Sequence, residues 1–317
     1  MTMLEDRRKG ALYGQAIGDA LGAWYEFSGD LPAGQLAEYR NVHRGGEFKA
    51  GEFTDDTSQA LILARAFTEE GDDEELTAQL IAEGFQNWLQ KDGRGCGNLT
   101  SYVLTDLAFA AAPVAVAEER WINGGRTGAP NGGVMRSVGA AIVRPWDRNW
   151  TIKAAMLGCK VTHADPRCVA SCVALNVALR YLLLEEGFGT ALMEGYKAAV
   201  HIEPGIKEFL TSESGLLGGG PIRRLKLGES GKVGYTYKCV GAAFWALQEF
   251  HRDPSLGLHE ILSRVIRAGG DTDTNAAVAG ALIGASIGFS KIPKELVDPL
   301  IRVDELDAVL AALPQKG

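Results

Sequence analysis

Two short acidic motifs lie far apart in the chain but are built alike: Thr54-Asp55-Asp56-Thr57 and Asp271-Thr272-Asp273-Thr274. Each stands at the head of an apolar run that reads as a helix. Thr and Asp are favoured there because their oxygens accept first-turn N–H bonds and a carboxylate faces the positive end of the helix dipole. Capping, however, consumes one or two oxygens per helix. Each motif offers two carboxylates and two hydroxyls beside a segment that must be buried, where unpaired charge is costly. The surplus calls for a cation. Hard oxygen donors suit magnesium or manganese, and no Cys/His cluster of the kind zinc prefers is present. If the two helix starts converge, four carboxylates in a low-dielectric pocket repel one another, and that count fits two ions better than one.

Other residues are candidates on their type and setting. Glu26 follows the segment GQAIGDALGAWYEF at 14–27, whose Gly14, Gly18 and Gly22 fall on one helix face and permit close backbone approach. Asp19, inside the same segment, reads as a buried hydrogen-bonding residue. The run GAPNGGVMRS at 128–137 passes from a glycine-rich loop into an apolar helix, a junction whose successive N–H groups can cradle an anion, or simply a plain turn. It is neither a Walker loop nor a dinucleotide fingerprint. His163, in VTHADP, sits where one helix ends and a proline starts the next, a place where histidine commonly serves the helix dipole. Cys168 and Cys172 share a helix face and read as core. Tyr235 and Tyr237 read as core or as a platform for a ring.

Positioning these groups falls to helices. Apolar residues recur at i, i+3, i+4 and i+7 over 4–21, 58–67, 76–89, 154–161, 168–184, 198–210, 240–250 and 258–268, whereas strand-like alternation is scarce. AAVAGALIGASI at 276–287 is apolar all round and built of small residues, as befits a central helix packed on every side. The expectation is an all-α fold forming one domain over 1–317. Three glycine-rich stretches, 28–53, 112–136 and 212–235 with its LLGGGP run at 216–221, interrupt the helices. Forty glycines are many for an all-α chain, since glycine inside a helix costs about 1 kcal/mol relative to alanine. Loops that approach a ligand closely explain the excess.

In a chain of 317 residues, 46% hydrophobic and 23% charged residues are globular values, which exclude a wholly disordered or coiled-coil chain. A net charge of −8 argues against an electrostatic grip on nucleic acid or anionic lipid. The segment MTMLEDRRKG has no signal-peptide pattern and no stretch reaches 18 consecutive apolar residues, so no membrane partner and a cytoplasmic location are expected. Five cysteines without a CxxC pair read as reduced, mostly buried thiols.

Taken together, GQAIGDALGAWYEF, GEFTDDTSQA at 51–60, NGGVMRSVG at 131–139, THADP at 162–166 and AGGDTDTNAAVAGALIGA at 268–285 resemble, in order, the motifs of the ADP-ribosylglycohydrolase family. The resemblance implies an all-helical fold of orthogonal helices around a binuclear Mg²⁺ or Mn²⁺ site. It also implies hydrolysis of the bond joining ADP-ribose C1″ to a protein side chain, with an ADP-ribosylated protein as substrate and ADP-ribose as product; a monomer is expected. By position, Thr54, Asp55 and Asp56 match the family's first metal motif and Asp271, Asp273 and Thr274 its second, while Glu26 matches a catalytic glutamate. Asn131, Gly132 and Gly133, with Met135, match the loop holding the diphosphate and distal ribose. His163 and Tyr235 match ligand-contacting positions, and Asp92 an acidic residue near the scissile linkage. Cys96 departs from the pattern, standing where relatives often carry an aromatic residue.

On this reading Asp55 or Asp56 holds or deprotonates the attacking water, and Glu26 is the alternative base or a hydroxyl anchor. Arginine is the favoured leaving group, because Asp92 can pair with a guanidinium through two hydrogen bonds. A serine-like oxygen is the alternative. Two rivals differ in class: a non-catalytic ADP-ribose binder, which intact buried acids count against, and a metal-dependent phosphohydrolase, which needs phosphate beside the metals.

Overall fold

The computed structural model describes residues 1–26, 30–43, 47–213 and 220–316. Phe27, Ser28 and most of the LLGGGP run (216–219) lie outside them. The described residues form helices and no strand; the only extended pairings among them are two isolated bridges, Val42 with Phe48 and Pro130 with Tyr235. In chain order the helices are α1 (Met3–Gly22), α2 (Asp55–Glu70), α3 (Glu74–Lys91), α4 (Asn98–Leu104), α5 (Pro113–Asn123), α6 (Val138–Ala141), α7 (Arg148–Lys160) and α8 (Pro166–Leu183). They continue as α9 (Phe188–Ile202), α10 (Gly205–Glu208), α11 (Thr236–Arg252), α12 (Gly257–Arg267), α13 (Thr272–Ile287), α14 (Lys294–Val297) and α15 (Val303–Ala312).

The centre is the pair α1 and α13. A Cβ on Gly14 would lie 2.1 Å from the Gly280 carbonyl oxygen, one on Gly18 2.0 Å from that of Ala276, and one on Gly22 2.4 Å from the Cα of Asp273. The glycine face read from the sequence is thus the surface on which two backbones touch. Its consequence is positional, because it sets the start of α13 against the end of α1, where Glu26 follows. α13 is buried on every side, as its composition implies. The apolar helix α8 is the one described helix with the length and hydropathy of a membrane span, and 78% of it is packed inside the protein.

Two segments differ from the periodicity reading. The stretch 198–210 is not one helix: α9 stops at Ile202, and Pro204, which lacks the N–H the next turn needs, follows before the short α10. The glycine-rich stretch 112–136 contains α5, opened by Pro113 in its first turn. All five cysteines are free thiols, four of them buried and Cys96 partly exposed.

Candidate active site

The site begins with an exchange of capping partners. Thr54 is the N-cap of α2, yet its side chain makes no cap bond. That role passes to Asp19 of α1, fully buried, whose Oδ1 accepts from Thr54 N (2.9 Å) and Thr54 Oγ1 (2.8 Å). Its Oδ2 accepts from Thr57 N (3.1 Å) and Thr57 Oγ1 (2.7 Å). Four donors on one carboxylate fix the entry of α2 and relieve Asp55 and Asp56 of capping it. Gln15, one turn earlier on α1, donates to the carbonyls of Asp56 and Met135 (3.1 Å each), tying α2 and the 131–137 loop to the same helix. Asp19 is the buried hydrogen-bonding residue that the sequence suggested, whereas Gln15 did not stand out there. The signal was there, in two polar residues four apart inside an otherwise small and apolar helix.

The second motif is placed alike. Gly269 and Gly270, both at positive φ, turn the chain from α12 into α13, and Asp271 is an N-cap whose side chain makes no cap bond. Instead, Asp271 Oδ2 accepts from Asn131 Nδ2 at 2.9 Å. The loop bearing Asn131 is held by paired backbone bonds, Asn131 N to Gly234 O (2.8 Å) and Thr236 N to Ala129 O (2.9 Å), so the 128–137 and 231–237 loops close as one wall. Thr274 faces Asp56 across the site and favours its ionised form, which brings the two motifs together.

Beyond α1 the chain hooks back through Tyr25 N and Glu26 N to the Gly22 carbonyl. This brings Glu26 to Asp271 and Asp273, with one oxygen of each within 4.8 Å of the others. Sequence reasoning placed Glu26 beside the metal motifs as a base; the structure makes it a member of the same carboxylate cluster. Burial raises the pKa of Asp55, Asp56 and Asp273 well above the ordinary carboxylate value, and repulsion adds to it: Asp19 and Glu26 act on Asp55, Asp19 and Asp55 on Asp56, Glu26 and Asp271 on Asp273. Asp56 Oδ1 is buried with no hydrogen-bond partner. An orphaned carboxylate oxygen inside a ring of oxygen donors fits a hard divalent cation.

Behind the acids lies a buried cation. Arg136, fully buried, donates to Gln59 Oε1 (2.8 Å), the Gly158 carbonyl and the Thr162 hydroxyl, and Thr162 Oγ1 meets His163 Nδ1 at 2.7 Å. Burial, with Arg136 nearby, holds the His163 pKa well below its usual value, so the ring is neutral. A Cβ on Gly132 would come within 2.9 Å of that ring, which is why only glycine lets the loop lie on it.

These groups line one cleft of about 1500 Å³: Glu26, Thr54, Asp55, Asp56, Asp271, Asp273 and Thr274 on one side, with Asn131, Gly132, Met135, His163 and Tyr235 around it. The volume admits a dinucleotide-sized ligand. Tyr235 packs in an aromatic group with Tyr237 (centroids 5.1 Å apart) and Phe209 (6.3 Å). Cys96 also lines the cleft, its thiol pushed up to about 11 by burial and by Asp55. Two expected residues do not. Gly133 is buried beneath the loop against Cys159 and Cys172. Asp92 lies outside the lining, and both its oxygens are taken by the forked guanidinium of Arg94, which also holds Glu52 at 2.8 Å. An acid already paired within its own loop is not the open partner that a substrate guanidinium would need.

The ADP-ribosylglycohydrolase family model matches residues 1–317. Among curated relatives, the ADP-ribosylarginine hydrolase Tri1 of Serratia proteamaculans is 30% identical over 95% of this chain and 77% of its own. The ADP-ribosyl-[dinitrogen reductase] glycohydrolase of Rhodospirillum rubrum is 27% identical over 97% of each, and the ADP-ribosylhydrolase ARH3 of Danio rerio 26% over 96% and 89%. A solved ADP-ribosylglycohydrolase-related protein complex superimposes with a TM-score of 0.66 at 26% identity, covering 99% of this chain and 98% of that one. An all-helical fold, acids gathered at one cleft and a match along the whole sequence agree: the chain belongs to the ADP-ribosylglycohydrolase family and is a hydrolase of that class.

Proposed function

We propose that the protein removes mono-ADP-ribose from arginine side chains of a modified protein, using divalent cations held among the cleft acids. The observation that carries the proposal is the meeting of Glu26, Asp55, Asp56, Asp271 and Asp273 at one wall of the cleft, with a buried oxygen of Asp56 lacking a partner. Thr54, Asp55, Asp56, Asp271, Asp273 and Thr274 would hold two ions, Mg²⁺ or Mn²⁺, and Glu26 lies close enough to share them. Such cations, when bound, supply positive charge that polarises ribose oxygens and water and offsets the repulsion among the acids.

The chain's own residues supply the rest. Asp56, whose Oδ1 has no hydrogen-bond partner, or Asp55 beside it takes the proton of an attacking water, with Glu26 as the alternative base or as an anchor for a ribose hydroxyl. The wall from Asn131 to Met135 receives the diphosphate and distal ribose. His163, neutral and braced by Thr162, supports the loop and contacts ligand without adding charge. Tyr235 offers a ring face.

Support for arginine as leaving group comes from relatives named as arginine hydrolases at 30% and 27% identity. The engagement of Asp92 by Arg94 removes the guanidinium contact that the sequence suggested, and an O-linked substrate, as in the relatives named ARH3, is the second reading. The test is to incubate the protein and Mg²⁺ or Mn²⁺ with arginine-linked and serine-linked ADP-ribosylated peptides and weigh the products. Free ADP-ribose from the arginine peptide, abolished by EDTA, is expected. Release from the serine peptide alone overturns the linkage, and AMP or phosphate in place of ADP-ribose overturns the reaction.

A further inference from the structure

A second cavity of about 720 Å³ is lined by the segment 220–229, in which Lys226 and Glu229 also line the cleft. Its lining reverses the character of the first. Arg223, Lys226, Arg252, Arg264 and Arg267 face it against only Glu229 and Glu249, in a chain whose net charge is −8. Part of this charge is satisfied: Glu249 pairs with Arg252 and with Arg264 (3.4 Å), and Glu260 with Arg264 (2.8 Å). Glu229 is spent on Lys232 (3.2 Å) and Lys238 (3.0 Å).

Three cations remain. Among the described residues, no carboxylate lies within ion-pair distance of Arg223, Lys226 or Arg267. Arg267 directs its donors to the carbonyls of Pro32 and Gln35, which fix its geometry but cancel none of its charge. Lys226, at a left-handed φ of 47°, ends a short 3₁₀ turn, and its own carbonyl accepts from Lys238, so its backbone position is set. Trp245 and Leu227 form an apolar wall. Two guanidinium forks and an ammonium over an apolar wall, in a cavity of nucleotide size, match a chain of phosphates by charge and by geometry.

We propose that this cavity binds an oligophosphate group, free or carried by a nucleotide, at a site separate from the hydrolytic cleft. The test is calorimetric titration of the full chain with sodium tripolyphosphate at low salt, with EDTA present so that metal bridging plays no part. One saturable sub-millimolar site is expected, weakening as salt screens the contacts. Arg223→Glu reverses an exposed charge and should weaken binding by about tenfold or more, roughly 1.4 kcal/mol per decade. Arg267→Gln keeps amide donors for Pro32 and Gln35 and should also weaken it. Arg224→Gln, at an exposed residue that lines only the larger cleft and makes no ion pair among the described residues, should leave the affinity within about twofold. ATP titrated in parallel separates the sources: tighter ATP assigns a nucleotide, tighter tripolyphosphate a free phosphate chain. The proposal fails if no saturable binding is found, if Arg223→Glu and Arg267→Gln, folded by circular dichroism, bind like the parent, or if Arg224→Gln alone loses binding, which would put the anion in the larger cleft.

Discussion

Helices α3, α7 and α8 begin as α2 and α13 do, with an aspartate at or beside the N-cap, and the two sets use it in opposite ways. Asp73 accepts from Leu76 N, Asp147 from Trp150 N and Asp165 from Arg167 N, each carboxylate capping its own first turn, with Asp165 also accepting from Trp121 Nε1 (3.1 Å). At α2 and α13 the N-cap side chains make no such bond. The α2 cap is supplied from another helix by Asp19, and Asp271 is turned to Asn131. Helix starts of similar composition therefore serve either structure or chemistry, and at α2 what makes the difference is a neighbouring helix that takes over the capping, whereas at α13 Asp273 still accepts from Thr274 N (2.8 Å) while Asp271 turns to the loop. Where it does, the local acids are released into the cleft at the cost of burying mutually repelling charges.

The comparison is broken most severely at the released acids. Asp55→Ala or Asp273→Ala should lower turnover by at least about 10³-fold and abolish tight Mn²⁺ binding, with far-UV circular dichroism unchanged. Asp73→Ala should leave turnover alone and cost about 1 kcal/mol of stability, the usual loss of an N-cap, read in urea unfolding. Unchanged metal affinity in both released-acid variants would refute their placement as ligands.

A smaller effect on rate is expected at Glu26. Glu26→Gln keeps the shape and removes the basic oxygen, so turnover should drop by about 10²-fold or more while ADP-ribose affinity moves little. If affinity and turnover fall together, Glu26 holds ligand or metal rather than a proton.

Removing the borrowed cap sharpens the comparison from the other side. Asp19→Ala strips four donors of their acceptor inside the core and should destabilise the protein by about 3 kcal/mol, several times the effect of Asp73→Ala. Equal losses at the two positions would show that Asp19 is no more than an ordinary cap.

The smallest effect concerns pH. Asp55, Asp56 and Asp273 have folded pKa values raised above the ordinary carboxylate value of about 4, so their contribution is full below that value and is lost as pH rises through the raised ones. In EDTA the melting temperature should therefore decline as pH climbs above about 4 through the raised values, whereas saturating Mn²⁺ should flatten the decline, because bound cation favours the ionised acids. Parallel profiles with and without metal would contradict the assignment.

The amino-acid sequence by itself determined the helical class, through its 3.6-residue periodicity, and the identity of the acids, through two motifs with more oxygens than capping requires. It also marked Gly14, Gly18 and Gly22 as a face for close packing, because that spacing needs no knowledge of the partner. Only the tertiary structure decided that the partner is α13, that Asp19 relieves Asp55 and Asp56 of capping, and that Glu26 joins Asp271 and Asp273. The same holds for Asp92, whose carboxylate is consumed by Arg94 two residues away, and for the Arg136 chain that reaches His163 through Thr162. The reason is physical: periodicity and motif spacing are properties of one segment, whereas a carboxylate's availability depends on which donors other segments bring within about 3 Å of it.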